Sequence, residues 1–383
     1  LTLSDIYGPG LIFVARAHEQ LNDWLPHDAE TLDSLTGGQL TVAGTLPIVC
    51  SEGFNSAAAH ELLALAGLEV GPSRIQFGAG EALDVIAEAA ADPQRMLVFQ
   101  HAYPGDPLEA RCWIDPNLLH YLNNKAKLAE LVPGEHVPPR EVVDRVGYFA
   151  RGRHSLPVVL KVVTDQSNGG GCGVAMCSTE EAVRRAARMF ESCDEIVVEQ
   201  VLEIDRNPCL NFAVMPDGEV RYLGFAEQDI SPEGKYRGNW IEFGSAIPQS
   251  AVEVAIEPVR RAGAMGYRGV VGVDLAFTRE DRVYVLDLNF RLNGCTAMIL
   301  LAPALKERGG VMHFRRIQGS VGGDALAQAF TRYVGDGRAV PLSLFDPPTA
   351  GYASRPASVQ ALFLGQSREE VLAMEAEIEV AVA

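Results

Sequence analysis

The sequence predicts an α/β layer followed by α+β segments, on three observations. Through about residue 110, short apolar runs alternate with helical patterns, the order expected of a parallel sheet with helices on its faces. From about Pro116 the texture changes to β-branched runs, turns and capped helices. Late in that region VYVLDLNFRLNGCTA (283–297) opens with nine residues in alternation. Tyr284, Leu286, Leu288 and Phe290 share one parity, and Val283, Val285, Asp287, Asn289 and Arg291 the other. A strand there presents one apolar face and one that turns polar midway.

Taken in order, LIFVAR (11–16), LTVAG (40–44) and RMLVFQ (95–100) read as strands. SAAAHELLALAGL (56–68) and GEALDVIAEAAADP (80–93) read as helices. NLLHYLNNKAKLAELVPGEHVPP is a helical piece ended by Pro and Gly, and LPVVLKVV (156–163) is a dense strand. After a glycine loop, Ser178 and Glu181 form a capping-box signature for a helix through about Ser192. Ser250 and Glu253 repeat that signature for a helix ending near Gly263 or Gly266. EIVVEQVL (195–202), LNFAVM (210–215) and EVRYLGFAEQ (219–228) are strands. GVVGVDLAF and VYVLDLNF flank TREDR as a hairpin. The last 75 or so residues hold two helical stretches, DALAQAFTRYV and SREEVLAMEAEIEVA, around the Pro-rich PLSLFDPPTAGYASRP.

Composition narrows the function classes. The 383 residues are 48% apolar and 21% charged, ordinary for a folded protein of several cores. A net charge of −18, with no Lys/Arg-rich run, argues against nucleic acid as a partner. Seven scattered cysteines without a CxxC argue against a disulfide framework or zinc site and fit a reducing cytoplasm. No apolar run approaches the roughly 20 residues of a membrane span. The first residues lack a signal peptide's basic and apolar regions, and because Leu1 is not Met, native N-terminal residues are expected before it.

Candidate chemistry begins at the hairpin. Setting Asp274 opposite Asp287 puts Val273 against Leu288 and Leu275 against Leu286, while a one-residue slip would put Asp274 on the apolar face, so the pattern selects this register or an equivalent bulged one. Opposed carboxylates repel unless something positive lies between them. Mg²⁺ would resolve this, because it takes oxygen ligands from one or two carboxylates plus phosphates. Asn289 adds an amide oxygen, and Arg291 is placed to grip a phosphate or carboxylate. A solvated strand face fits the alternation equally well.

Upstream, Asn168, Gly169, Gly170, Gly171, Cys172 and Gly173 form a loop whose backbone N–H groups could converge on an anion. The loop is neither a Walker A motif nor a dinucleotide fingerprint. Lys161 precedes it in an apolar strand, Lys125 lies in LNNKAKLAEL, and Glu199, Gln200 and Leu202 end a strand. Each taken singly also has a bland reading as turn, surface lysine or strand terminus.

The order of these features decides among the readings. Lysine, strand lysine, glycine loop, capped helix, Glu-ended strand, then Asp and Asp-x-Asn-x-Arg resembles the ATP-grasp superfamily over about residues 120–305. GYRGVVGVDLAF…VYVLDLNFRLNG carries the most specific part of the likeness. The resemblance implies an ATP-grasp fold of two α+β lobes. It divides the chain into a pre-ATP-grasp α/β domain (1–115), a small lobe with the glycine loop (116–200), a metal-binding lobe (201–305) and a C-terminal extension (306–383). Lys125 and Lys161 match the phosphate lysines, 168–173 the loop over the phosphates, and Glu199, Gln200 and Leu202 the adenine-binding connection. Asp274, Asp287 and Asn289 match the metal ligands. Arg291 matches the residue that meets the acyl phosphate or substrate and, with Lys161, is the implied catalytic pair.

Two positions depart from the pattern. Asp287 stands where the family usually has Glu, and Gly272 stands where the D-alanine ligase branch often has Arg. Glu203 and Asp205 are the nearest candidates for a ribose-binding acid. With the insert EQDISPEGKYRGNW, the chain looks most similar to pheganomycin-type peptide ligases, and Lys235 and Arg237 in that insert are substrate-binding candidates.

The resemblance implies an ATP-dependent carboxylate–amine ligase working through an acyl phosphate. ATP and Mg²⁺, with Mn²⁺ as an alternative, would be its cofactors. Its partners would be a small carboxylic acid and an amino acid or peptide, in peptide natural-product biosynthesis, with no nucleic acid or membrane. A homodimer is compatible with it. The competing classes are a kinase-like phosphotransferase on the same fold and a nucleotide-binding regulator without turnover.

Overall fold

The computed structural model describes residues 1–18, 24, 28–68, 70, 74–102, 106–164, 166, 173–231 and 236–383. The first layer is a parallel sheet of Leu11–Val14 (β1), Ile48–Ser51 (β2), Arg74–Phe77 (β3) and Met96–Phe99 (β4), in the order β3-β2-β1-β4. Every residue of β1 and β2 is buried, as a sheet covered on both faces requires. Ile12 and Val14 pack toward the helix Ala82–Ala90, and Leu11 and Phe13 pack on the opposite side into the largest core.

Two strands of this layer differ from expectation. LTVAG forms turns rather than a strand, yet its Leu40, Val42 and Ala43 are buried in the largest core. The strand is instead the next apolar run, Ile48–Ser51, and Arg74–Phe77 is a further one that the pattern did not announce.

A second, antiparallel sheet follows, of Arg140–Asp144 (β5), Val158–Val162 (β6), Val174–Cys177 (β7) and Glu195–Gln200 (β8), ordered β5-β8-β6-β7. The helix Glu180–Met189 covers one face, where Val158, Leu160 and Val162 are buried. Alternation therefore turns Lys161 to the other face. The helix is capped by Thr179, whose side chain accepts from the Ala182 N–H, and not by the predicted Ser178.

The third sheet has nine strands. It contains Ile204–Arg206 (β9), Pro208–Val214 (β10), Val220–Ile230 (β11), Tyr236–Glu242 (β12), Gly269–Thr278 (β13), Val283–Asn289 (β14), Val311–Gln318 (β15), Ala339–Phe345 (β16) and Ser358–Gly365 (β17). The order is β14-β13-β10-β11-β12-β15-β17-β16, with β9 beside β13. The helix Gln249–Ala264 covers β13 and β14 through Val271, Val273, Leu275, Val285, Leu288 and Phe290. It begins one residue before Ser250, with Pro248 at the cap and no side-chain cap bond.

Segment 306–383 holds the two predicted helices, Gly323–Gly335 and Arg368–Val382, and also three unpredicted strands that continue the nine-stranded sheet. PLSLF lies inside β16 rather than in a linker. No helix among the described residues is long and apolar enough to cross a membrane.

Candidate active site

The β13–β14 hairpin has the expected register at its polar end, with Asp274 opposite Asp287 and Val273 opposite Leu288. Beyond Asp274 the pairing shifts, so Leu275 faces Val285 and Leu286 is the extra residue of a β-bulge. The bulge resets the parity. Val285 joins Leu288 and Phe290 in the core under the helix, and half-buried Leu286 leaves the apolar row where alternation had placed it. The Leu286 carbonyl accepts a hydrogen bond from Lys161 Nζ at 2.9 Å, which ties the second sheet to the third.

Around this hairpin the residues converge. Asn289 Nδ2 donates to Asp274 Oδ2 at 3.2 Å. Lys125 Nζ lies 2.5 Å from Asp287 Oδ2. Lys161 Nζ lies 2.7 Å from Glu199 Oε1, and Arg140 approaches the other Glu199 oxygen at 3.6 Å. Arg140 and Glu199 are register partners on β5 and β8. Arg291 Nη1 donates to Asn123 Oδ1 at 3.0 Å, and so does the Phe290 N–H at 2.9 Å.

The two opposed carboxyls titrate differently. Burial, and then the Asp287 charge, push Asp274 up to about 6. Burial also works to raise Asp287, but Lys125 and Lys161 outweigh it and hold that carboxyl below the usual range. Burial pulls Lys161 down against the charges of Glu199 and Asp287. Burial likewise pulls Arg291 down against Asp287 and Asp274.

This donor set fits a hard divalent cation. Asp274 and Asp287 face each other across the hairpin, and the Asn289 amide supplies a further oxygen. Among the described residues no three His, Cys, Asp or Glu side chains form a metal cluster, so the amide and phosphate oxygens would have to complete such a site. Gly272 has a steric reason. A Cβ there would collide with the Asn293 amide and come 3.2 Å from Cys209 Sγ, leaving no room for the Arg of the D-alanine ligase branch.

The remaining predicted residues lie farther out. Asn168, Gly169, Gly170, Gly171, Cys172 and Lys235 fall outside the described residues. Gly173 is described, with φ of 77° and its carbonyl accepting from the Val162 N–H. The Gln200 N–H donates to the Pro139 carbonyl at 2.9 Å, and Leu202 is half-buried between β8 and β9. A polar cleft of about 510 Å³ opens beside Glu199 and Gln200, with Arg140, Arg151 and His154 in its wall. Arg237 pairs with Asp229 at 2.6 Å and is half exposed. Glu203 is exposed, 3.9 Å from Arg279, and Asp205 is exposed on β9.

Sequence reasoning missed Asn123, Arg140 and a buried cluster beneath Asp274. In that cluster Asn211 Nδ2 lies 3.5 Å from Cys209 Sγ and 3.3 Å from Cys295 Sγ, and its Oδ1 accepts from Asn293 and Thr296. Asn123 had one usable signal, its position two residues before Lys125. Arg140 had none without the β5–β8 register.

Residues 138–289 match the family model described as L-aspartate–L-methionine ligase, ATP grasp, and residues 2–120 match that of the L-aspartate–L-methionine ligase N-terminal domain. Lys125 and Arg291 lie outside both segments. Neither description is that of the pheganomycin-type ligases to which the sequence looked most similar. The butirosin acyl-carrier protein–L-glutamate ligase of Niallia circulans is 37% identical over 95 residues, 24% of this chain and 22% of that protein. The chain therefore matches less than a quarter of that relative's length.

Among solved structures, the ADP complex of N5-carboxyaminoimidazole ribonucleotide synthetase has a TM-score of 0.57 at 13% identity, covering 99% of this chain and 98% of that one. The Thermus thermophilus synthetase of the same name has a TM-score of 0.57 at 16%, covering 97% and 98%. The L-amino acid ligase of Bacillus licheniformis has a TM-score of 0.54 at 13%, covering 97% of each. At these identities the likeness concerns the fold, which is the ATP-grasp fold with a preceding N-terminal domain.

Proposed function

We propose, from the premise that this chain belongs to the ATP-grasp superfamily of ligases, that it joins a small carboxylic acid to the amine of an amino acid or peptide at the expense of ATP. The observation that carries this reading is the convergence of Lys125, Lys161, Asp274, Asp287, Asn289 and Arg291 on one bulged hairpin.

In the first step a substrate carboxylate oxygen attacks the γ-phosphorus of ATP, the bond to the bridging oxygen breaks, and an acyl phosphate and ADP form. In the second an amine attacks the acyl carbon, loses a proton and expels inorganic phosphate, leaving an amide. Such chemistry depends on positioning and charge neutralisation more than on a protein nucleophile. Lys125 leaves Asp287 for the phosphates, while Lys161 faces them from its fixed place beside Glu199. Arg291 receives charge at the reacting phosphate. Gln200 and Leu202 border the adenine. Asp274, Asp287 and Asn289 would hold Mg²⁺ or Mn²⁺, which supplies neutralisation of the phosphate oxygens.

The substrate pair to test first is L-aspartate with L-methionine, because both matching family models carry those names. A role in peptide natural-product assembly finds support in the short match to a ligase named for butirosin. The six described cysteines are free thiols, which supports a reducing compartment.

A hydroxylamine trap tests the ligase reading. With MgATP and L-aspartate, an acyl phosphate gives a hydroxamate together with ADP. The reading fails if a panel of acids gives neither hydroxamate nor phosphate release while a hydroxyl compound is phosphorylated.

A further inference from the structure

We infer that Asn123 is a positioning residue that aims Arg291 while leaving its charge intact. Asn123 is the last residue of the helix Pro116–Asn123. Its Nδ2 donates back to the Leu119 carbonyl at 2.8 Å, which fixes the amide plane. Oδ1 then accepts twice, from the Phe290 N–H at 2.9 Å and from Arg291 Nη1 at 3.0 Å. Two acceptances use both lone pairs of an amide oxygen. One atom thereby fixes the chain leaving β14 and the guanidinium that follows it.

The choice of an amide has an electrostatic consequence. A carboxylate at this position could make the same two bonds, but as a charge-assisted pair it would satisfy Arg291's charge. The neutral oxygen orients the guanidinium without adding a counter-charge of its own. Two residues on, Lys125 reaches Asp287, so a single helix end holds both ends of the polar row.

This inference rests on the proposed placement of Arg291 at the reacting phosphate. The test compares the full chain with Asn123→Asp and Asn123→Ala, using MgADP alone and MgADP with fluoroaluminate and L-aspartate, read by titration calorimetry beside thermal melting. All three proteins should bind MgADP within about twofold of one another, since Arg291 faces the transferred group and not the diphosphate. Fluoroaluminate should tighten binding in the wild type, and both variants should lose about tenfold or more of that tightening. Asn123→Asp should do so with an unchanged melting temperature, because it keeps both acceptances.

A purely structural role for Asn123 predicts the opposite: the Asp variant would bind the fluoroaluminate complex as tightly as wild type, and that result overturns the inference. Asn123→Ala removes the acceptor without adding charge, so wild-type tightening in that variant overturns it as well. If the wild type binds MgADP with no fluoroaluminate tightening, the reading of the site itself fails, a result distinct from failure of the Asn123 variants alone.

Discussion

Two ion pairs flank the tie between the second sheet and the β13–β14 hairpin and differ in what each leaves its carboxylate to do. Glu199 is 3% exposed, with Lys161 at 2.7 Å and Arg140 at 3.6 Å, so two cations surround one buried anion. The Asp287 side chain is 28% exposed, holds Lys125 at 2.5 Å and still faces Asp274 across the hairpin. Removing one partner of a buried pair strands a charge in a poorly hydrated place, whereas losing the Asp287 charge also relieves its repulsion with Asp274. The Glu199 pair therefore behaves as scaffold. On the proposed function, the Lys125–Asp287 pair is a placeholder that a divalent cation and a phosphate replace together.

Asp287→Ala tests the placeholder most severely. It removes a proposed metal ligand and the resting partner of Lys125, so acid-dependent phosphate release should fall on the order of 10³-fold. Steady-state rates near wild type would remove Asp287 from the site. Glu199→Ala tests the scaffold, and should cost about 3–5 kcal/mol of stability by leaving Lys161 and Arg140 without their anion. Asp287→Asn should cost less than that, because the loss of charge also relieves Asp274 across the hairpin. Denaturant titration of the two variants measures both, and equal losses would erase the distinction between the pairs.

The two pairs were not equally legible in the sequence. Asp274, Asp287 and Asn289 could be read because alternation and the TREDR turn fix a register in which a slip buries a charge. The Leu286 bulge could not, since it exists only in the pairing of two strands, and it is the bulge that presents a carbonyl to Lys161. Arg140 reaches Glu199 through the β5–β8 register, which local pattern does not carry. The fold shows the same limit. LTVAG has strand-like composition but fills the core as turns, while β3 (Arg-Ile-Gln-Phe) holds only two apolar residues and β2 follows LTVAG too closely to stand out from it. Of the C-terminal strands, β15 lay just before two strong helical signals and β16 and β17 between them, and all three found their partners only in the nine-stranded sheet.

Acid should act first at the Arg291 end, because an imidazole lies within range of the Arg291 charge. Burial, and then the Arg291 charge, hold His101 down to about 3, so it is neutral in the fold. The unfolded chain binds that proton below about 6.5. This stabilisation is therefore intact above about 6.5 and is lost as pH falls toward 3. Between pH 6.5 and 5 the wild type should lose about 1.5 kcal/mol more than His101→Gln. Parallel stability curves for the two proteins would show that His101 is not held neutral.

Lys125→Met gives the smallest expected effect, and it separates a placeholder from a fixed pair most directly. At rest Lys125 occupies the Asp287 oxygen that a cation would need. A cation arriving without nucleotide must displace that ammonium or share the carboxylate with it, at a Coulombic cost within a few ångströms of another positive charge. Removing the ammonium should therefore strengthen Mn²⁺ binding to the nucleotide-free protein by about tenfold. The same variant should weaken ATP, because the phosphate loses its lysine. Opposite signs for the two ligands follow only if one side chain serves first the carboxylate and then the phosphate. Electron paramagnetic resonance of free Mn²⁺ reads the first and nucleotide titration the second. If Mn²⁺ affinity is unchanged or falls in Lys125→Met, the Lys125–Asp287 pair is scaffold like its neighbour, and the contrast between the two ion pairs fails.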